Sequence, residues 1–258
     1  YFKHPATTEY LLHGITLVND VAFVLPGVFD QNPFRQSVNG SLWSLPYEIG
    51  MYGILMALWA VAYALERINL KKAWPYLLAT MMTGFVGWMI TDYVRQGYIS
   101  TFPKLGFIFF WGVCFYTFRE RITLSWWGLI GCVLLLWLTA FSKPLFLLSY
   151  LLISGYLLLA LAYLPSGSIR LYNNLGDYSY GVYIYAFPIQ QTLVLLIPGV
   201  DPINLMIYAF FITMVLAVMS WHLVEERSMK GRYWFTPPAK VVAPVVHTQT
   251  VTPLREAS

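Results

Sequence analysis

Long apolar stretches separated by short polar segments dominate this chain. Eight blocks stand out: 10–28, 45–65, 73–91, 103–118, 122–140, 145–164, 177–196 and 203–224. Within them the apolar positions run on continuously instead of forming a stripe with a 3.6-residue period. Blocks of this length without an amphipathic stripe predict membrane-spanning helices. GLIGCVLLLWLTA and LFLLSYLLISGYLLLALAYL are the most strongly apolar. The first block is the most polar, since it holds His13, Asn19 and Asp20, and the fourth is short for a span. The pattern therefore predicts an all-α, polytopic transmembrane bundle with about eight spans. Residues 1–234 form one membrane domain. The remainder, 235–258, is rich in Pro, Thr and Val, lacks a helical period, and reads as a disordered tail.

Composition agrees with the pattern. Of the 258 residues, 58% are hydrophobic and 11% charged, with a mean hydropathy of +0.60. A soluble domain carries about 25% charged residues. Aromatic residues make up 18%, which suits rings placed at membrane–water interfaces. The net charge of +4 does not mark a nucleic-acid binder, because the basic residues form no stripe. Cys114 and Cys132 both lie in apolar blocks without metal-ligand spacing, and read as buried free thiols.

The basic residues orient the bundle. Lys3, Arg67, Lys71, Lys72, Arg119, Arg121, Arg170, Arg227, Lys230, Arg232, Lys240 and Arg255 fall on one side of the alternating blocks. Only Arg35, Arg95, Lys104 and Lys143 fall on the other. The positive-inside rule places the richer side, and with it both chain ends, in the cytoplasm.

Candidate chemistry concentrates in a few polar positions. In Val38-Asn39-Gly40-Ser41-Leu42-Trp43-Ser44-Leu45-Pro46-Tyr47-Glu48, Asn-Gly favours a turn, Ser44 is placed to cap the second helix, and Pro46 fits its first turn. Glu48 then projects from the start of that helix, at about the membrane boundary. An acid there suits the helix dipole, and an acid beside an apolar run is equally a functional group. Trp43 reads as an interfacial anchor. His13 and Asp20, seven residues apart, share a helix face about 10 Å apart along the axis. They read as polar groups satisfied between helices, with the lining of a polar cavity as the alternative, and His222 reads as an interfacial histidine. In the seventh block, Asp177 suits the helix N-terminus, Gly181 permits close helix approach, and Pro188 interrupts the backbone ladder. Tyr178, Tyr180, Tyr183 and Tyr185 either pack or bind a sugar. The chain contains no phosphate-binding loop, dinucleotide fingerprint, zinc motif or nucleophile elbow.

Three stretches together resemble the acyltransferase-3 family of integral membrane O-acyltransferases: VNGSLWSLPYEIGMY at 38–52, LGDYSYGVYIYAFPI at 175–189 and SWHLVEE at 220–226. FFWGVCFYTFRER at 109–121 is similar to that family's fourth conserved region. The resemblance implies ten spans in a bacterial inner membrane, with both ends cytoplasmic. It implies transfer of an acyl group, typically acetyl, from cytoplasmic acyl-CoA to a hydroxyl of an envelope or secreted carbohydrate or glycolipid. Acceptors in the family include lipopolysaccharide O-antigen, exopolysaccharide, peptidoglycan and macrolides. Acyl-CoA is then a donor substrate, with no bound cofactor or metal. Glu48 becomes the catalytic candidate, and Asn39, Ser41 and Trp43 the acceptor-side candidates.

Family members open with a span carrying an Arg and an essential His, followed by a basic loop. This chain shows neither, so it resembles a member lacking its first two spans, and residues 1–258 alone are expected not to transfer an acyl group. Ala186 stands where members often carry His, and no Pro follows Glu225-Glu226. Two other readings are an exporter of a lipid-linked sugar and an inactive remnant. The first would favour related halves and broken helices, and no repeat is visible in the sequence. The orientation is tested by reporter fusions. Those after Lys72, Arg121, Arg170 and Ser258 should report cytoplasm, and those near Asn32 and Lys143 the opposite side. A cytoplasmic signal at Asn32 would reverse the topology.

Overall fold

The computed structural model describes residues 5–16, 21–68, 73–168, 170 and 176–231. Among them the chain is helical, with no strand beyond one isolated bridge. The α-helices are α1 (Pro5–Thr16), α2 (Leu45–Arg67), α3 (Ala73–Gln96), α4 (Thr101–Thr117), α5 (Trp126–Thr139), α6 (Lys143–Tyr163), α7 (Ser179–Leu196), α8 (Pro202–Ser220) and α9 (Glu226–Gly231). A 3₁₀ turn, Gly40–Ser44, leads into α2, and a π-helical turn, Trp221–Glu225, joins α8 to α9. The tail 235–258 and Asp20 lie outside the described residues.

Four helical stretches are long and apolar enough to cross a membrane: Gly40–Arg67, Ala73–Gln96, Lys143–Tyr163 and Pro202–Gly231. They mark the chain as a membrane protein. Local sequence sets several of the boundaries. Asp201 accepts hydrogen bonds from the Ile203 and Asn204 N–H groups, and Pro202 fits the first turn of α8. Ser125 accepts from the Gly128 N–H and opens α5. Seven of the eight apolar blocks become α2–α8 with small shifts at their ends.

The first block does not. A single helix over 10–28 is expected from its apolar content, but α1 is described over Pro5–Thr16 and residues 21–28 are not helical. The reason lies in Pro26-Gly27, where Gly27 takes φ +81°, and in a competing antiparallel pairing further on. Val24 bridges to Ser37, with the Leu25 N–H donating to Gln36 O and the Val38 N–H to Phe23 O. Residues 21–39 thus close into a loop whose backbone is bonded to itself.

The core lies among α2, α3, α4 and α6. Met51, Leu78, Phe85, Met89, Phe107, Phe110 and Leu151 bury one another there. Gly106 lets α4 press against α3, because a Cβ at that position would stand 2.3 Å from the Phe85 ring. The second unit is the α7/α8 pair. The buried residues of α8 are Ala209, Thr213 and Ala217, small side chains four apart on one face. Gly181 of α7 meets that face so closely that a Cβ would lie 2.7 Å from Ala217 Cα. Lipid offers no hydrophobic drive between helices, so close backbone approach of this kind is what holds such a pair. The 3₁₀ turn touches both α2 and α7 and bridges the two units.

Candidate active site

The bridge is held by side-chain amides and hydroxyls. At its outer end two buried amides interlock. Asn32, 3% exposed, donates through Nδ2 to the Gln191 backbone oxygen at 2.8 Å and to Gln191 Oε1 at 3.1 Å. Gln191, 4% exposed, donates through Nε2 to the Phe34 and Ser37 carbonyls, both at 2.7 Å. Phe34 then meets Phe187 edge-on, with centroids 6.0 Å apart. Gly40 lies under the same ring, so close that a Cβ would stand 2.9 Å from a Phe187 ring carbon.

Further along, Asn39 solves a problem that Pro188 creates. In a continuous helix the N–H of residue 188 would bond to the Ile184 carbonyl, and proline has no N–H. Asn39 Nδ2 donates to Ile184 O at 2.9 Å. Its Oδ1 accepts from the Ser41 N–H at 3.1 Å and so caps the 3₁₀ turn. Asn39 is 8% exposed, so both bonds lie away from solvent.

Next comes Tyr183, whose hydroxyl donates to the Ser41 carbonyl and lies 2.9 Å from Ser44 Oγ. Ser44 Oγ in turn donates to Glu48 Oε1 at 3.1 Å. Ser44 occupies the N-cap of α2 but makes no side-chain cap bond to the backbone, contrary to the expectation from sequence. Its hydroxyl is taken by Tyr183 and Glu48. From Gln191 to Tyr183 is eight residues, about 12 Å along α7. The loop therefore descends along α7 toward that helix's first turns, and Glu48 sits at the level of Tyr183 rather than at the C-terminal end of α7.

The four site residues expected from sequence are thus contiguous, but their roles differ. Asn39 and the backbone of Ser41 are committed to docking on α7. Trp43 is 48% exposed and packs edge-on against Tyr47, centroids 6.1 Å apart. Glu48 is exposed, with its carboxylate oriented by Ser44. Sequence reasoning missed Asn32 and Gln191. An amide inside an apolar helix is a signal for Gln191, whereas Asn32, in Asp-Gln-Asn-Pro, looks like an ordinary turn residue.

The other expected stretches meet at the N-terminal end of α7. Asp177 accepts from the Ser179 N–H and hydroxyl. Gly176, at φ +102°, backs onto the Trp221 indole, where a Cβ would stand 2.5 Å from Nε1. Tyr178 contacts the rings of Trp221 and His222 edge-on. His222 Nδ1 lies 3.3 Å from Glu226 Oε2, and Ser220 donates to Glu225 at 2.9 Å. These bonds give His222 and Glu225 local partners inside the π-helical turn. His13 lies half-buried on α1, and the geometry of a His13–Asp20 pair falls outside the described residues. The 109–121 stretch forms much of α4 and meets α2 through Tyr52 and Phe109, centroids 5.4 Å apart. A cavity of about 890 Å³ opens between those helices, with Arg119 at one end. No cluster of metal-ligating side chains occurs among the described residues.

The chain is similar to an O-acetyl transferase of Shigella phage Sf6, with 29% identity over 74% of this chain. It spans 56% of that protein's length. No family profile and no solved structure matches the chain.

The Asn39–Pro188 pairing is testable by a double-mutant cycle. Asn39→Ala leaves Ile184 O and the Ser41 N–H unpaired, which should cost about 1–3 kcal/mol per buried group. In a Pro188→Ala background the new N–H bonds to Ile184 O, so the same Asn39→Ala change should cost about half as much. Thermal unfolding in detergent measures both, and equal costs in the two backgrounds would refute the pairing.

Proposed function

We propose that the chain is the membrane-embedded part of an O-acyltransferase. It moves an acetyl group from acyl-CoA to a hydroxyl of a carbohydrate or glycolipid, with Glu48 as the general base. The observation that carries this reading is the placement of Glu48. A loop rich in polar bonds is clamped to α7, and on the first turn of the helix that follows it Glu48 is solvent-accessible and held by the Ser44 hydroxyl. The exposed Glu48 carboxylate is suited to accept the proton of a sugar hydroxyl, and Trp43, exposed on the turn that precedes α2, offers a ring for the sugar to pack on. The similarity to the phage O-acetyl transferase supports the reaction class. The resemblance of residues 38–52, 175–189 and 220–226 to integral membrane O-acyltransferases supports the acyl-CoA donor and the carbohydrate acceptor.

The chemistry balances without a further reagent. Glu48 takes the hydroxyl proton as the acceptor oxygen attacks the thioester carbonyl. The carbon–sulfur bond then breaks, and the proton passes to the departing CoA thiolate.

The test is Glu48→Gln in the protein expressed from its whole gene. Side-chain shape and hydrogen-bonding capacity are kept, and the base is lost. Acceptor acetylation, read by mass spectrometry, should fall on the order of 100-fold or more with normal abundance in the membrane. Near-normal acetylation would rule out a required carboxylate and leave Glu48 with a helix-terminal role only.

A further inference from the structure

We infer that Ser44 and Tyr183 form a hydroxyl relay that positions Glu48 and completes its hydrogen bonds once Glu48 has taken the acceptor's proton. This inference rests on the reading of Glu48 as the base. It follows from counting protons along the chain of contacts Glu48–Ser44–Tyr183–Ser41. There are three contacts: Ser44 Oγ with Glu48 Oε1 at 3.1 Å, Ser44 Oγ with the Tyr183 hydroxyl at 2.9 Å, and the Tyr183 hydroxyl with the Ser41 carbonyl oxygen. A hydroxyl donates one hydrogen bond, a carbonyl oxygen none, and an ionised carboxylate none.

With Glu48 ionised, two protons serve three contacts. If Ser44 donates to Glu48 and Tyr183 to Ser41, the Ser44–Tyr183 contact brings two oxygens together with no proton between them. If Tyr183 turns to Ser44, the Ser41 carbonyl loses its partner. When Glu48 has taken a proton from the acceptor hydroxyl, the count closes. The carboxyl O–H donates to Ser44, Ser44 to Tyr183, and Tyr183 to Ser41. All three contacts are then hydrogen bonds running in one direction. The acceptor O–H bond breaks and a Glu48 O–H bond forms; the carboxyl turns to present that O–H to Ser44, and the Ser44 hydroxyl turns to Tyr183, which donates to Ser41 throughout. The arrangement is thus better satisfied after proton abstraction than before it, which is the sense a general base needs.

The fold keeps the chain aligned. Tyr183 sits on α7, one residue before Ile184, whose carbonyl is fastened to Asn39. Ser41 is fastened through its N–H to the same Asn39. Ser44 and Glu48 stand one turn apart at the start of α2. One amide side chain therefore sets the spacing between the two ends of the relay. Tyr183 and Ser44 touch neither donor nor acceptor in this account. They act through Glu48 and are positioning residues.

The test uses the protein expressed from its whole gene, in native membranes. Acetyl-CoA is the donor, and smooth lipopolysaccharide, exopolysaccharide and soluble peptidoglycan are the acceptor probes. Tyr183→Phe, which keeps the ring, and Ser44→Ala should each lower kcat roughly 10- to 100-fold with acceptor KM within about twofold of wild type. The double variant should be no slower than Ser44→Ala alone, because the hydroxyls act as one chain. Ser44→Thr, which restores a hydroxyl, should recover the kcat that Ser44→Ala loses. A merely structural role would instead lower membrane abundance, raise KM, or give losses that multiply in the double variant, and any of these overturns the relay. Normal kcat in Tyr183→Phe, alongside an inactive Glu48→Gln, overturns the relay and leaves the base assignment standing. A wild-type protein that acetylates none of the probes overturns both.

Discussion

Everything at the candidate site depends on one missing hydrogen. Pro188 lies inside α7 and cannot donate to the Ile184 carbonyl. An unpaired carbonyl within an apolar bundle is costly, and water is not at hand to meet it. Asn39 meets it, and in doing so brings a loop against a helix more than a hundred residues away in the chain. The Asn32–Gln191 amides fasten the same loop two turns further along α7. Between these two points Gly40 lies flat under Phe187, where any larger side chain would meet the ring. The loop is therefore polar where it touches α7 and self-bonded elsewhere, which is the condition for irregular backbone inside a helical membrane protein.

That constraint connects fold to chemistry. The core of α2, α3, α4 and α6 and the close-packed α7/α8 pair are separately assembled apolar units. The 3₁₀ turn Gly40–Ser44 bridges them, and Glu48 stands on the first turns of the helix that follows it. A general base works only when it is held in register with the group it deprotonates. Here the register is set by hydrogen bonds to α7 and not by the apolar core. Residues that look like substrate contacts in the sequence, Asn39 and Ser41 above all, serve that register. The Glu48 carboxylate and the Trp43 ring remain exposed.

Much of the bundle was legible in the sequence, because a helix in lipid announces itself by apolar length alone. Blocks two to eight became helices for that reason. The first block misled for a physical reason. Its apolar residues serve a short helix and a self-paired loop, and Pro26-Gly27 carried more information than hydropathy did. The polar stretch 38–48 was legible as a turn leading into a helix, because Asn-Gly, Ser, Pro and Glu each have local preferences. What these residues bond to was not legible. Ser44 was expected to cap its own helix and instead serves Tyr183 and Glu48, a contact across 139 residues that no local rule reveals. The partnership of Asn39 with Pro188 likewise needs the third dimension. Each residue had a sound local explanation, a turn for one and a break for the other, and their connection appears only when the loop lies on the helix.

The docking of residues 32–44 along α7 is the claim on which the rest stands, and proximity measures it directly. Phe34 and Phe187 have ring centroids 6.0 Å apart, from residues far apart in sequence. The two native cysteines, Cys114 and Cys132, can be replaced by Ala, and Phe34→Cys and Phe187→Cys introduced into that background. A short bifunctional thiol reagent applied to native membranes, followed by mass spectrometry of the peptides, reads the distance. The account predicts an efficient intramolecular link between positions 34 and 187. Absence of that link, while a Phe85→Cys, Phe102→Cys control pair across α3 and α4 does form one, would show that the loop does not lie on α7.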